Sequence, residues 1–513
     1  MIARVHSALL QGIDAIGCEI EVDHDTRALT DKPLIVGLPD ASVRESLERV
    51  RAAILNSGYP WPEGRVLINL APADIRKEGP VYDLPIALAL LMAQGVIPPK
   101  AGELGLGLDP RRLIVAGELA LDGRVRPVRG AIAMASLALE KGFHGLVCPA
   151  QNAAEAAVVE GVDVYPAATL SEIVAVIAGQ LDASPIPTPD VDAMLRGIEP
   201  AVDFGDVRGQ EAVKRAATIA AAGGHNLLML GPAGSGKTMM AKALPGVLPP
   251  LTRDEALEIT RIYSAAGALP RGQSLVTQRP VRTPHHTASA PAIVGGGAIP
   301  RAGEISLAHR GILFLDELPE FNRGVLETLR QPLEDRIVTI ARSHGSVTFP
   351  ASFMLIAAMN PTPKGDVGAG EAGQREMDRY LARLSGPLLD RIDLHVEAPA
   401  VPFEELSGKP KGTNTETMRS AAYAARERAA ERQGVGLENA RLTGRQLDEL
   451  APLDEHCRAL VGSAMSSLGL SARAYDKVRR VARTIADLAS STDIRTDHVA
   501  EAVSYRLLDR QRV

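Results

Sequence analysis

Gly231-Pro232-Ala233-Gly234-Ser235-Gly236-Lys237-Thr238 combines residue types at a spacing that cradles phosphate. Its glycines let successive backbone N–H groups curl around phosphate oxygens with no Cβ in the way. Lys237 then reaches the β and γ phosphates, and the Thr238 hydroxyl ligates Mg²⁺. The segment follows the apolar run Asn226 to Leu230 and precedes residues able to open a helix, the setting such a loop needs. Roughly eighty residues later, the apolar run Gly311 to Leu315 delivers two acids, Asp316 and Glu317. Asp316 is placed as a second metal-side ligand, and Glu317 as the carboxylate that polarises an attacking water. An Asp-Glu pair at a strand end is often only that. Paired with the loop it implies hydrolysis of a nucleoside triphosphate held with Mg²⁺.

Three further positions follow in order. The buried-strand pattern Phe353 to Ala358 ends in Met359-Asn360-Pro361, where Asn360 can hold the lytic water. Arg391 follows a short apolar helix in Ser385 to Asp393; at a subunit edge it can stabilise charge on a neighbour's γ-phosphate. Arg473 begins an amphipathic helix and can touch phosphate from there. Taken singly, Asn360 is as readily a turn former, and each arginine a surface ion pair.

Positioning these groups requires several domains, and 513 residues with 46% apolar content supply them. Proline-rich breaks at Asp182 to Pro200 and Pro399 to Asn414 divide the chain into a block 1–181, a linker 182–200, a block 201–398 and a block 399–513. The first mixes strand-like runs (Leu34 to Val36, Val66 to Leu70, Leu113 to Val115) with helical ones (Val43 to Leu55, Ala131 to Lys141), an α+β pattern. The second alternates strand and helix, implying a parallel sheet covered on both faces. The third is helical, with Tyr475, Val478, Val481, Ala482, Ile485 and Leu488 recurring at spacings of three and four.

Composition removes other classes. Cys18, Cys148 and Cys457 lie far apart and form neither a disulfide framework nor a paired-cysteine metal site, which fits a cytoplasmic protein. Leu84 to Ala93, the longest apolar stretch, falls short of the roughly 18 residues a membrane span needs. Net charge is −6 and aromatics are 3% of residues, so neither a globally basic footprint nor a base-stacking platform is available. Any DNA contact must be local. Arg271 to Arg310 holds five arginines and three histidines against the single acid Glu304. Arg279, Arg282, His285, His286 and Arg301 are its candidate phosphate contacts, sequence-independent in kind. The same groups equally suit a subunit interface that responds to ATP. Adjacent His285 and His286 make a poor metal pair. Lys477, Arg479, Arg480 and Arg483 read as a solvated helix face, with DNA contact the lesser alternative.

The order of these motifs resembles an AAA+ ATPase of the magnesium-chelatase type, and within it the ComM/YifB competence-protein-like branch. The residues that carry the likeness are Asp206 to Gln210, Gly223-Gly224-His225-Asn226, the phosphate loop, Arg282 to Thr287, Gly303 to His309, Leu315 to Phe321 and Leu470 to Leu488. The resemblance implies an α/β fold with an AAA+ P-loop parallel-sheet core and a carboxy-terminal helical lid. It places Gly209 and Gln210 near the adenine, makes Asn360 sensor 1, Arg391 a trans-acting arginine finger and Arg473 sensor 2. It further implies a homo-oligomeric ring, a hexamer, that binds single-stranded or branched DNA and acts as a helicase in branch migration, with recombination proteins as partners. A metal-chelatase subunit, an ATP-dependent peptidase and a regulatory ATPase without motor activity are the alternatives.

Two departures from the family pattern stand out. Relatives commonly carry a cysteine cluster after the sensor 1 Asn, whereas this chain reads Asn360-Pro361-Thr362-Pro363-Lys364-Gly365, leaving zinc without thiolates. The amino-terminal block resembles the α+β proteolytic domain of Lon-type proteases. Where that family places its Ser and Lys, this chain has Val81 and Ile132, which can neither attack nor accept a proton. The likeness therefore implies a retained fold without peptidase chemistry, used for assembly or as a DNA-facing collar, and Ser136 as an ordinary helix residue.

Overall fold

Apolar strand runs bounded by glycine and polar turns settle into a seven-stranded and a five-stranded sheet, with three two-stranded ones beside them, and the chain divides into two compact units. The computed structural model describes residues 2–27, 33–98, 107–197, 202–297, 300–342, 345–362, 375, 377, 379–407, 412–506 and 508. Of the segment Asn360 to Gly365, Thr362 is described and buried, whereas 363–365 lie outside these residues, as do 198–200 and 408–411 in the two proline-rich breaks.

The first unit comprises residues 1–196 together with 253–277. Its strands are β1 (Ile2–Gln11), β2 (Asp14–Asp25), β3 (Leu34–Val36), β4 (Arg65–Ala71), β5 (Leu113–Val115), β6 (Gly145–Pro149) and β7 (Asp163–Ala167). They form a mixed sheet in the order β3-β4-β2-β1-β5-β6-β7. The β1–β2 hairpin is antiparallel, and β5, β6 and β7 add parallel to its edge. Helices α1 (Ala41–Asn56), α2 (Asp83–Ala93) and α3 (Ala131–Glu140) belong to the same unit. The apolar stretch Leu84 to Ala93 is a nearly fully buried core helix, which accounts for its lack of a polar face. Among the described residues no helix is long and apolar enough to cross a membrane.

The segment Arg253–Thr277, which the sequence places inside the ATPase block, clusters instead with this first unit. Its helix, Arg253–Ala266, buries Ala256, Ile259, Thr260, Ile262 and Ser264. Ser264 Oγ accepts from Gly130 N at 3.0 Å, and Arg253 pairs with Glu160 at 2.6 Å. Arg271 therefore belongs to the first unit, and Arg279 to Arg310 to the second. Ile132 is fully buried in α3 and Val81 lies in the turn before α2, both as packing residues. Ser136 donates to Ile132 O at 2.9 Å within its own helix. Lys77, with its side chain buried, donates to Ile75 O at 2.8 Å and to Pro72 O.

The second unit comprises residues 197–252 and 278–513. Helix α4 (Glu211–Gly223) leads into β8 (Leu227–Leu230), and α5 (Lys237–Ala243) follows it. Strands β9 (Val281–Arg282), β10 (Ile312–Leu315), the hairpin β11 (Ile337–Arg342) and β12 (Gly345–Pro350), β13 (Met354–Met359) and β14 (Leu394–Glu397) complete the set. The sheet runs β9-β10-β13-β8-β14 with every pairing parallel. β10 and β13 are buried along their whole length, the pattern of strands covered on both faces. Between β9 and β10 lies the short helix α6 (Ala290–Val294). After β14 the chain is helical, with α7 (Thr415–Gln433), α8 (Ala472–Leu488) and α9 (Thr496–Ser504). The apolar stripe of α8 predicted from spacing is buried at Val478, Val481, Ala482 and Ile485, in one core with Leu227, Met229 and Ile356 of the sheet.

Candidate active site

Parallel strands deliver their following loops to one edge, so β8, β13 and β10, adjacent in the sheet, bring the phosphate loop, Asn360 and the Asp316-Glu317 pair together. Gly231 follows β8 where a Cβ would lie 2.0 Å from Ala398 O, so no side chain fits. Gly236 closes the loop at φ +87°, the left-handed region.

Lys237 turns its ammonium back onto the loop. Nζ donates to Gly231 O and Pro232 O at 2.7 Å each, and to Asn360 Oδ1 at 3.2 Å. Burial holds this lysine below its ordinary pKa, while nearby Asp316 and Glu317 oppose that shift. A buried cation satisfied by neutral carbonyls is one poised for an incoming anion. Thr238 Oγ1 donates to Asp316 Oδ2 at 2.8 Å, so a hydroxyl and a carboxylate, both hard oxygen donors, already converge where a magnesium ion would bridge them. The residues thus fit Mg²⁺ and a triphosphate. Asp316 Oδ1 also accepts from Glu317 N at 2.9 Å. Glu317 itself sits at φ 52°, uncommon for a residue with a Cβ, and its Oε2 lies 3.3 Å from His286 Nδ1.

Gln210, also left-handed at φ 59°, donates from Nε2 to Ser235 O at 3.2 Å and Pro399 O at 2.6 Å. It therefore abuts the phosphate loop itself. Among the described residues its buried Oε1 has no partner, an acceptor open to an amino group. At Gly209 (φ +59°) a Cβ would come within 2.2 Å of the Glu405 carboxylate.

Arg391 and Arg473 are brought together, but at the opposite edge. Both line a cleft of about 240 Å³ with Glu334, Arg336, Asp390 and Lys477, whose lining includes no residue of the phosphate loop. Asn226, which immediately precedes β8, lines it as well. Asn226 ties three strand starts together: Oδ1 accepts from Leu355 N at 2.9 Å, Nδ2 donates to Arg391 O at 2.9 Å, and its backbone N to Asp393 Oδ2 at 3.1 Å. Arg391 donates to Pro387 O at 2.6 Å and pairs with Glu334. Arg473 is 68% exposed and 4.0 Å from Asp390. Beneath them, Asp393 is buried between Lys477 Nζ at 2.7 Å and His225 Nδ1 at 3.5 Å. Burial alone would raise its pKa, but Lys477 and His225 hold the carboxyl well below the usual range. Sequence reasoning missed this support. Its signal was the polar pair His225-Asn226 standing directly before a buried strand.

The basic positions separate as well. Arg279 is committed to the carbonyls of Pro249 and Arg310 at 2.7 Å, and Arg282 holds Glu304 with two bonds of 2.6 and 2.8 Å. His285 Nδ1 is engaged by Thr287 at 2.9 Å, and His286 faces Glu317. Arg301 is exposed. The expectation that Lys477, Arg479, Arg480 and Arg483 form a solvated face is overturned. Lys477, Arg479 and Arg483 are buried, Arg479 pairs with Asp448 at 3.0 Å and Arg483 with Asp487 at 2.9 Å, and Arg480 caps Leu442 O at 2.8 Å. The charged side of α8 faces partners within its own unit, and charge count alone carries no sign of that.

Known proteins match this chain along most of its length. Residues 203–406 match the family described as magnesium chelatase, subunit ChlI; residues 412–506 match its C-terminal family, and residues 20–152 the family described as subunit ChlI of Mg-chelatase. The protein YifB of Escherichia coli (strain K12) is 43% identical over 99% of this chain and 97% of its own. The competence protein ComM of Haemophilus influenzae is 41% identical over 99% of this chain and 98% of its own. The magnesium-chelatase 38 kDa subunit of Rhodobacter capsulatus is 25% identical over 61% of this chain and 89% of its own. The chain belongs to the ComM/YifB family of magnesium-chelatase-type AAA+ ATPases.

Proposed function

We propose that this chain is a ring-forming, ATP-hydrolysing motor that acts on DNA as a helicase in branch migration during recombination or uptake of transforming DNA. The observation that carries the assembly is the separation of Lys237 and Glu317, at one edge of a parallel sheet, from Arg391 and Arg473 in a cleft at the other. At about 3.3 Å per residue, Asn226 to Leu230 alone spans roughly 13 Å between those edges. A protomer's arginines are then placed to serve a neighbour's triphosphate, a head-to-tail arrangement that closes into a ring, here a hexamer. In that reading Asn360 is sensor 1, Arg391 the arginine finger and Arg473 sensor 2 acting across the interface.

Within one site the chain's own residues divide the work. Lys237 and the loop N–H groups hold the β and γ phosphates, Gln210 and Gly209 border the base, and Glu317 takes the proton of the attacking water while Asn360 orients it. Bound between Thr238 and Asp316, magnesium would neutralise charge on the phosphates. Block 1–181 is a Lon-like domain without peptidase residues, and 399–513 is the lid.

DNA as the polymer is supported by the full-length likeness to ComM and by the exposed Arg301. The chelatase reading rests on weaker likeness, 25% over 61% of the chain. ATP turnover measured with single-stranded, duplex and four-way-junction DNA separates these readings. Stimulation by DNA that weakens steeply with salt is expected; turnover indifferent to every DNA at every salt concentration excludes the motor.

A further inference from the structure

The short helix Arg330–Asp335 ends on Arg336 at φ 59°, a left-handed cap position where glycine or asparagine is the common occupant. Backbone bonds hold it there: Arg336 N donates to Pro332 O at 3.0 Å, and Ala351 N to Arg336 O at 2.7 Å. A long side chain gains nothing from this backbone, and such outliers cluster where the side chain has a role. We infer that Arg336 is a third cation of the Arg391–Arg473 cleft, one that contacts the triphosphate of the neighbouring protomer; this rests on the ring proposed above.

Arg336 lines that cleft together with Arg391, Arg473, Lys477 and Arg480. Three of these cations each face a carboxylate: Arg391 pairs with Glu334, Lys477 with Asp393 at 2.7 Å, and Arg473 lies 4.0 Å from Asp390. Arg336 shares its acid with two other arginines. Glu438 Oε2 is 3.8 Å from Arg336 Nη1, whereas the same carboxylate stands 2.8 Å from Arg441 and 3.5 Å from Arg426. The Ser352 hydroxyl, to which Arg336 Nη1 donates at 3.0 Å, also accepts from Arg441 Nη2 at 3.0 Å. One carboxylate and one neutral hydroxyl thus leave three guanidiniums with surplus positive charge. Burial holds Arg336 below its ordinary pKa; Glu438 opposes that shift and Arg310 adds to it. An anion entering the cleft relieves both the desolvation and the repulsion. The Arg336 side chain is 28% exposed against 11% for Arg391, so an incoming phosphate reaches it at least as readily. Its planar fork can then hold two phosphate oxygens at once.

The test uses the full-length protein with Arg336→Asn and Arg336→Gly, two replacements that suit the left-handed backbone and remove the guanidinium. Thermal melting, ATP affinity and steady-state turnover are measured for each, and turnover again after mixing each with Lys237→Ala. Both variants are expected to melt near the wild-type temperature and to bind ATP at their own intact loops with unchanged affinity, while kcat falls about tenfold or more. In equal mixture with Lys237→Ala, about one quarter of head-to-tail interfaces combine an intact loop with an intact cleft, so turnover should climb toward that fraction of wild type. Wild-type kcat in both variants overturns the inference. So does a lowered melting temperature accompanied by weakened ATP affinity, which would make Arg336 a structural partner of Ser352 and Glu438 only. The mixture of Arg391→Ala with Lys237→Ala separates the two levels. If that mixture recovers and the Arg336 mixtures do not, Arg336 acts within its own protomer: the inference fails and the ring stands. If none of the mixtures recovers, the ring itself fails and the inference with it.

Discussion

Arg391 and Arg473 line one cleft at the edge of the parallel sheet opposite the one from which Lys237 emerges. Arg391 pairs with Glu334, and Arg473 lies 4.0 Å from Asp390. In the proposed ring a neighbour's triphosphate, which carries more negative charge than either carboxylate, would displace both. The hydrolytic consequences follow from which edge a residue occupies.

Lys237→Ala removes a cation whose hydrogen bonds, among the described residues, go to neutral groups of its loop and Asn360. Affinity for ATP should fall by about 100-fold or more, since a charge-assisted contact to phosphate is lost in a desolvated site. Titration with a fluorescent ATP analogue checks it, and wild-type affinity refutes the role.

Glu317→Gln keeps the shape of the side chain but cannot take a proton. Binding should be retained while turnover drops by about 10²- to 10⁴-fold. Single-turnover hydrolysis at saturating ATP makes the measurement, and a rate near wild type removes Glu317 from the chemistry.

Arg473→Ala should leave folding and ATP affinity nearly intact, because the side chain is 68% exposed and remote from its own phosphate loop. Turnover in the assembled state should fall. A melting curve and a binding isotherm beside the turnover measurement distinguish this from a general loss of structure.

Asp393 stands between Lys477 and His225 in a buried site, and its removal strands a charge. Asp393→Asn should cost about 3–5 kcal/mol at neutral pH. Because the folded carboxyl is held below its unfolded value of about 3.9, its contribution is fully present above about pH 4 and disappears as pH falls toward the folded value. The stability gap between wild type and variant should therefore narrow only below about pH 4. Denaturant melts across pH 3 to 7 test the sign.

Arg301→Ala should weaken DNA binding for all sequences alike and reduce the dependence of log K on log salt by about one unit. Arg282→Ala, by contrast, frees Glu304 and disturbs its own loop. A salt slope unchanged by Arg301→Ala removes that residue from the contact.

The phosphate loop, Asp316-Glu317 and Asn360 were legible in the sequence because each is a local pattern: a strand run, then residues of fixed type at its end. That β8, β13 and β10 lie side by side is what joins them, and parallel pairing makes it follow. The burial of Lys477, Arg479 and Arg483 was not legible, since their partners Asp393, Asp448 and Asp487 lie as close as four and as far as 84 residues away. The same holds for His286 and Glu317, and for the migration of Arg253–Thr277 into the first unit, both set by tertiary packing. Periodicity identified the face of α8 that is apolar; it could not say that the charged face would be covered too.

The central claim, that one protomer holds the triphosphate and its neighbour supplies the arginines, is tested most directly by mixing Lys237→Ala and Arg391→Ala proteins. Each alone should be inactive. In a random equal mixture about one quarter of head-to-tail interfaces combine an intact loop with an intact arginine, so ATP turnover should reappear at up to about that fraction of wild type. A mixture as inactive as its components, or an Arg391→Ala protein fully active alone, would contradict the account.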